Sequence, residues 1–255
     1  MSLSQELIDH IIDLLASTPD DTRRKALLAC SLVSTSFRSR CKKHLFSKLF
    51  LSYVNVPERP KNLRLQQYPT IAPYIETLCL LVSKTATLDS LSLITEMLSP
   101  LRSFVLIGNI MNRWEVVSMA LDKRRHVSNP LLSSQLNSLA LCSITSVPPT
   151  LFSICINLTR LTFNEVELQP SSHTEGALSE PAGSRSQPRL LEFTLVAFSR
   201  QTLVERLLPS RVPPFVDLTG LRRLTIVPAT DYAEEDMIAV RELMAISKHT
   251  LRHLS

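Results

Sequence analysis

Apolar side chains recur at steps of three and four along the first fifty residues, which is the spacing of amphipathic helices. In the first segment, the residues on this spacing are Leu3, Leu7, Ile8, Ile11, Ile12, Leu14 and Leu15. The pattern predicts one helix there, a second from about 22 to 32, and a third that begins after Ser34 and carries Phe37. We expect a fourth helix to carry Leu45, Phe46, Leu49 and Phe50. Residues 1–50 are therefore predicted to form a small helical domain.

A different pattern begins at residue 75, where an apolar residue is followed three and five positions later by two more. Copies of this fragment start at Ile75, Leu101, Leu136, Leu158, Leu190 and Leu221, and Leu251 begins a further one. The spacing approximates the leucine-rich-repeat template, with uneven linkers between copies. The alternating apolar residues predict short strands with one buried face, and the stretches around 88–98, 114–121, 203–208 and 237–246 have helical spacing. We therefore predict an α/β fold, an irregular leucine-rich-repeat solenoid with parallel strands inside and helices outside, in which Trp114 anchors the core.

Composition marks how the chain is divided. Four prolines indicate a connector over residues 51–74; they are Pro57, Pro60, Pro69 and Pro73. Residues 169–189 are rich in serine, proline, glycine and charge, which is typical of a flexible insertion within the repeats of 75–255. The sequence stops inside the last copy, so we expect the repeats to lack a polar C-terminal cap, either as a truncated product or with an open edge.

The N-terminal segment resembles an F-box. Its landmarks are a Leu-x-x-Glu-Leu start at 3–7, the Ile-Ile pair at 11–12, the run Leu-Val-Ser-Thr-Ser-Phe-Arg at 32–38 and a late Leu-Phe at 45–46. The family has proline where this chain has Ser4, and proline pre-sets the start of a helix. With serine at this position the helix start is less rigid, but the apolar face of the helix remains. The expected effect is weaker binding of the partner.

The resemblance implies that the N-terminal helices dock the Skp-type adaptor of a cullin–RING ubiquitin ligase, as a helix packs into a groove. By matching positions, the adaptor-binding residues are Leu3, Leu7, Ile8, Ile11, Ile12, Leu15, Leu28, Val33 and Phe37. Internal packing is the alternative for such residues, and it explains Leu7, Leu14 and Leu32 at least as well. Contact with the partner is favoured for Leu3, Ile8 and Ile11.

The repeats are then expected to bind a target protein through the concave side of their strands. The polar residues predicted to face that side are Arg160, Thr162, Asn164, Glu192, Thr194, Arg223 and Thr225. The function implied is that of a non-catalytic substrate-recognition subunit of a Skp–cullin–F-box-type ubiquitin ligase. The alternative is a leucine-rich-repeat interaction scaffold without ligase function, in which the helices cap the repeats.

Composition argues against catalytic and cofactor-dependent classes. The four glycines lie too far apart for a phosphate-binding loop, and the five cysteines include no CxxC pair, so neither a nucleotide nor a zinc site is expected. General acid–base catalysis needs two positioned titratable groups, and the predicted concave positions carry no histidine and no carboxylate pair. We therefore expect no enzyme activity, no cofactor and no bound metal.

Charge and targeting signals complete the picture. Lys+Arg 28 against Asp+Glu 23 gives a net charge of +5, and residues 23–48 hold eight basic residues and no acid. We interpret this basic run as a solvated face, with nucleic-acid binding as a weaker alternative because no exposed aromatics are interleaved. The start has no basic region typical of a secretion signal, and no apolar run approaches about 20 residues. A cytoplasmic or nuclear protein without membrane contact is expected.

Overall fold

The computed structural model describes residues 4–18, 20–53, 69–82, 98, 101–114, 135–169, 187–196, 216–227 and 234–255. Within these residues, three helices precede a parallel sheet of eight strands. The α/β class predicted from the pattern is confirmed. Of the predicted helical stretches, those around 88–98 and 203–208 lie almost wholly outside the described residues, as do most of 114–121 and of the insertion at 169–189.

The three helices are α1 (Gln5–Ala16), α2 (Asp20–Val33) and α3 (Thr35–Phe46). Ser4 is the N-cap of α1, with extended backbone, and its hydroxyl accepts a hydrogen bond from the Leu7 N–H at 3.4 Å. Ser4 therefore has a structural role of its own, because its side chain satisfies one of the free N–H groups at the helix start. The first three predicted helices are confirmed, with α3 longer than expected.

The predicted fourth helix is wrong. Residues Leu49 and Phe50 lie in strand β1 (Lys48–Tyr53), which pairs in parallel with β2 (Thr77–Val82). Leu51 is buried in the sheet core while Phe50 is exposed, and this alternation belongs to a strand rather than a helix. The predicted domain boundary at residue 50 falls inside β1, and the predicted connector contains a 3-10 helix at Pro69–Tyr74.

The remaining elements follow in chain order. They are β3 (Ser103–Arg113), β4 (Ser138–Val147), α4 (Thr150–Ile154), β5 (Arg160–Leu168), β6 (Glu192–Val196), β7 (Arg223–Val227), α5 (Glu234–Ser247) and β8 (His253–Leu254). Every strand is parallel to its neighbour, and the spatial order is the sequence order from β1 to β8. Consecutive strands can pair in parallel only through a crossover connection, so every connection returns the chain to the same end of the sheet.

The repeated apolar positions form the core. Residues at the second position of each copy are in register across the sheet: Leu78, Phe104, Leu139, Leu161, Phe193 and Leu224. All of them are buried, as are the first residues of the copies from Ile75 to Leu221. Phe163 makes edge-to-face contacts with Phe152 and Phe193 at centroid distances of 5.7 and 5.8 Å. Trp114 is also buried, which confirms its predicted place in the core.

A repeating hydrogen-bond pattern aligns the starts of the strands. One carbonyl per strand accepts two successive backbone N–H groups from the next strand, at distances of 2.8–3.1 Å. The accepting carbonyls belong to Ser47, Glu76, Arg102, Asn137, Thr159, Leu191 and Arg222. The same local geometry at seven consecutive steps sets the register at the amino ends of all eight strands, so side chains at equivalent positions there form rows across the sheet. Further along, the register shifts between β3 and β4 after Ile107 and between β4 and β5 after Ile144.

Candidate functional site

The helical bundle has a small core of its own. Ile12, Leu27 and Cys41 are fully buried in it, and Leu15 and Phe37 pack against them. Ile8 is also buried, with 6% of its surface exposed. The expectation that Ile8 and Ile12 face a partner is therefore corrected, because α1 turns this side of its apolar face toward α2 and α3.

Other members of the predicted adaptor-binding set lie on the surface. Leu7 is 45% exposed, Leu28 is 46% exposed, Val33 is 73% exposed and Ile11 is 36% exposed. Two further apolar side chains, Leu14 and Leu32, are exposed as well, so internal packing does not account for them. Leu3 lies outside the described residues. We call the six exposed side chains the apolar strip; they are Leu7, Ile11, Leu14, Leu28, Leu32 and Val33.

A hydrogen bond between α1 and α3 brings three members of the apolar strip, Leu7, Leu32 and Val33, to one end of the bundle. The Gln5 side-chain amide donates to the Ser36 carbonyl at 3.3 Å, so the start of α1 lies beside the start of α3. The end of α2 connects to α3 through Ser34 alone, which brings Val33 and Leu32 to the same place. Leu7 lies near this end as well, because it is two residues after Gln5 on α1, which is about 3 Å along the helix axis at 1.5 Å of rise per residue.

Asp13 fixes the other end of this helix pair. Its carboxylate accepts hydrogen bonds from Arg40 Nε at 2.8 Å and contacts His44 Nε2 at 2.7 Å. The hydrogen bond from Arg40, followed by the one from His44, holds the pKa of Asp13 well below its ordinary value. Two side-chain contacts, Gln5–Ser36 and Asp13–Arg40, join α1 to α3. The two helices therefore run in the same direction, and the exposed residues of α1 have a fixed orientation relative to α3.

The bundle continues directly into the sheet. Only Ser47 separates α3 from β1, and its carbonyl accepts the first pair of N–H groups from β2. Lys43 Nζ lies 3.9 Å from Glu76 Oε1, at the start of β2. The bundle therefore sits at the β1 side of the sheet, and it keeps a core separate from the sheet core.

The seven polar residues predicted to bind a target all lie on the face of the sheet opposite its core, which we call the open face. They form cross-strand rows, with Arg160, Glu192 and Arg223 in one row. Thr162, Thr194 and Thr225 occupy the next row, and each of the seven side chains is exposed or half-buried. Arg223 Nη1 approaches Glu192 Oε1 to 3.5 Å. Whether these rows contact a target stays a prediction.

The open face is mainly polar on β5 to β7 and mainly apolar on the strands nearest the bundle. The strands nearest the bundle present an apolar area, which comprises Phe50, Cys79, Leu81, Val105, Ile107, Ala140 and Cys142. The spacing of the repeats predicts all of these positions on this face except Phe50, which was predicted in a helix. Burial raises the pKa of the Cys79 and Cys142 thiols. This shift favours the protonated thiols over the reactive thiolates.

Two adjacent strands share an irregularity that no sequence signal indicated. Ser143 in β4 and Glu165 in β5 both have φ 53°, in the left-handed region that glycine normally occupies. The Ser143 hydroxyl donates a hydrogen bond to Glu165 Oε2 at 2.8 Å. These left-handed residues interrupt the regular alternation of the strands: Phe163 and Val166 are both buried, and Glu165 between them is exposed.

Within the described residues, no group of three or more His, Cys, Asp or Glu side chains is placed to hold a metal ion. None of the described helices is long and apolar enough to cross a membrane. No protein-family model matches the sequence, and no curated protein is significantly similar to it.

Proposed function

We propose that this protein is a substrate-recognition subunit of a Skp–cullin–F-box-type ubiquitin ligase. The N-terminal bundle docks the Skp-type adaptor, and the sheet holds a target protein near the ubiquitin-transfer machinery. Such a subunit makes no bonds itself, because its effect is to raise the local concentration of the target. The parallel sheet is, in this proposal, the inner layer of an irregular leucine-rich-repeat solenoid.

The observation that carries this proposal is the apolar strip. A small bundle with its own core still exposes Leu7, Ile11 and Leu14 on α1 and Leu28, Leu32 and Val33 on α2. Exposed apolar area of this kind, gathered on two helices, is typical of a protein-binding surface. Leu7, Ile11, Leu28 and Val33 also occupy positions that the F-box resemblance assigns to adaptor contact.

Repetition supports the solenoid part of the proposal. Six spaced copies of one apolar fragment coincide with strands in a single parallel sheet, and the strands follow chain order without exchange. Each described strand pairs with the strand before it, the strand after it, or both, as in a quasi-one-dimensional repeat protein.

The test is binding of the purified full chain to a purified Skp-type adaptor by isothermal titration calorimetry. Leu7→Glu combined with Leu28→Glu places two charges on the apolar strip, and we expect at least about a tenfold loss of affinity because each side chain buries apolar area in the complex. Both side chains are already half-exposed in the free protein, so folding is expected to survive. Circular dichroism checks this.

Ile154→Glu is the matched control, because Ile154 on α4 is 54% exposed and far along the chain from the bundle. It should leave adaptor affinity unchanged. Undiminished binding by the Leu7/Leu28 variant would show that the apolar strip is not the adaptor site. Complete absence of binding by the unaltered chain would refute the ligase function.

A scaffold without ligase function is the second candidate, and the burial of Ile8 and Ile12 favours it. In that reading, the bundle protects the β1 edge of the sheet, and the apolar strip has no adaptor to bind. The same titration separates the two functions, since the scaffold predicts no heat of binding with the adaptor.

A further inference from the structure

We infer that the basic side of the sheet recognises an acidic peptide segment of the target protein. This inference rests on the proposed function in one respect, because it takes the sheet as the surface that holds a target. It adds the chemical class of that target and the residues that select it. The observations that carry it are the positions, ion pairs and surroundings of five arginines at or just before the starts of β5 to β8.

The five arginines gather at the amino ends of the last four strands. We call them the basic patch; they are Arg160, Arg189, Arg222, Arg223 and Arg252. Arg160 and Arg223 lie in one row of the open face, with Glu192 between them. Arg222 and Arg252 immediately precede the strand residues of that row. Since neighbouring strands are about 4.8 Å apart, the four strands span only about 15 Å.

Arg189 joins this group through a close approach to the turn before β7. A Cβ atom on Gly220 would lie 2.5 Å from Arg189 Nε, so the glycine leaves the space that the arginine side chain occupies. The backbone of Arg189 also bridges that of Asp217. The turn at 217–220 therefore holds Arg189 at the amino end of β7, although the two segments are far apart in sequence.

Most of this positive charge is unpaired. Within the described part of the chain, the carboxylate next to the arginines is Glu192, which lies 3.5 Å from Arg223. The Asp217 carboxylate is engaged in its own turn, because its Oδ1 accepts hydrogen bonds from Thr219 N at 2.8 Å and Thr219 Oγ1 at 2.7 Å. Among the described residues, Arg160, Arg222 and Arg252 have no ion-pair partner, so a carboxylate-bearing ligand would meet free guanidinium groups.

The surroundings favour a peptide over a nucleic acid. Single-stranded nucleic acids bind where bases stack on exposed aromatic rings, and the rings of β5 and β6, Phe163 and Phe193, are buried. Next to the charged row lie Thr162, Thr194 and Thr225, whose hydroxyls are able to hydrogen-bond to a peptide backbone. Glu165 and Glu167 are exposed near the carboxyl end of β5 and confine an acidic ligand to the amino ends.

Fluorescence anisotropy tests the inference, with the full chain and a short fluorescein-labelled peptide in which glutamate alternates with serine. We expect binding that weakens as salt rises, since exposed charges are screened beyond about 10 Å at 0.1 M salt. The same peptide with lysine in place of glutamate should not bind. Equal binding of both peptides, or binding of neither, would overturn the inference.

Variants locate the binding on the basic patch. Arg160→Gln combined with Arg222→Gln removes two unpaired charges and should weaken binding by at least about fivefold. Glu192→Gln removes the competing carboxylate and should tighten binding, a gain that loss of folding cannot produce. Arg24→Gln with Lys25→Gln is the matched control, because it removes the same charge from exposed positions on α2. Equal weakening by that control would refute recognition by the patch.

A single-stranded RNA of similar length is the competing ligand. If it binds more tightly than the acidic peptide and is weakened by the same arginine substitutions, the patch is a nucleic-acid site and the inference fails. No adaptor is present in these assays. Adaptor docking and peptide binding are therefore measured separately. Either the proposed function or the inference about the basic patch can be refuted while the other stands.

Discussion

At the scale of single residues, neighbouring side chains on α1 differ in burial. Ile8 and Ile12 are buried in the bundle, whereas Leu7 and Ile11, each one position earlier, are exposed. Successive residues on a helix point about 100° apart, so a rotation by one position exchanges buried and exposed side chains. The sequence predicts that the face is apolar, but only the packing against α2 and α3 decides which residues it leaves outside.

Asp13 gives a prediction at this scale. Because its pKa is held well below the ordinary value of about 4, its contribution to stability is present above that pH and is lost as pH falls toward the folded-state pKa. Asp13→Asn should lower the free energy of unfolding by about 1 kcal/mol at neutral pH, a modest value because the pair is partly exposed to solvent. The difference from the unaltered chain should shrink below about pH 4.

Urea unfolding at a series of pH values measures this difference. Asp9→Asn is the matched control, since it removes the same charge one turn earlier. The Asp9 carboxylate accepts a hydrogen bond from the neutral Gln5 amide at 2.8 Å and acts on Arg40 through its charge rather than through a hydrogen bond. A difference between Asp13→Asn and the unaltered chain that stays constant down to strongly acidic pH would contradict the assigned role of Asp13.

At the scale of elements, the prediction that failed is the fourth helix, because the chain forms strand β1 there. Residues Phe46, Leu49 and Leu51 repeat the spacing of the later copies, and Leu49 and Leu51 align with Leu78 and Leu80 of the next strand. The signal was present in the sequence, but helical spacing from Leu45 to Phe50 competed with it. Pairing with β2 and burial of Leu51 in the sheet core favour the strand.

The strand assignment predicts different costs for two adjacent truncations. Leu51→Ala should lower the free energy of unfolding by about 2–5 kcal/mol, because it leaves a cavity in the sheet core. Phe50→Ala, at a side chain that is 56% exposed, should cost less than about 1 kcal/mol. Chemical denaturation of both variants measures the costs, and a larger loss for Phe50→Ala would favour the helix that the spacing predicted.

At the scale of the whole molecule, the described residues form two cores. The bundle core around Ile12, Leu27 and Cys41 is separate from the sheet core, and Ser47 with the Lys43–Glu76 ion pair links the two parts. Cooperative unfolding follows buried apolar contacts, so each part is expected to open as its own unit. The small bundle, with little buried area, is the weaker of the two.

Hydrogen exchange tests this division. Ile12→Ala should destabilise the bundle by about 2–5 kcal/mol and speed amide exchange in α1 to α3. The strand amides that donate to the row of accepting carbonyls should keep their protection. Ile11→Ala, at the exposed neighbouring position, is the control and should change neither region. Equal loss of protection in bundle and sheet after Ile12→Ala would mean that they form one cooperative unit.

Local periodicity is enough to predict the α/β class, the first three helices and the buried positions of the strands. Copies that recur at similar spacing must bury equivalent residues, and so the spacing alone places Leu78, Leu161 and Leu224 in the core, where all three are buried.

Three features depend instead on how the elements pack: which apolar side chains of the bundle remain exposed, that β1 begins the sheet, and that five arginines meet at one corner of it. Each requires contacts between segments far apart in the chain: α1 on α3, β1 on β2, and Arg189 on the turn at Gly220. Periodicity shows that a face is apolar, but which partner covers it is fixed only when the elements come together.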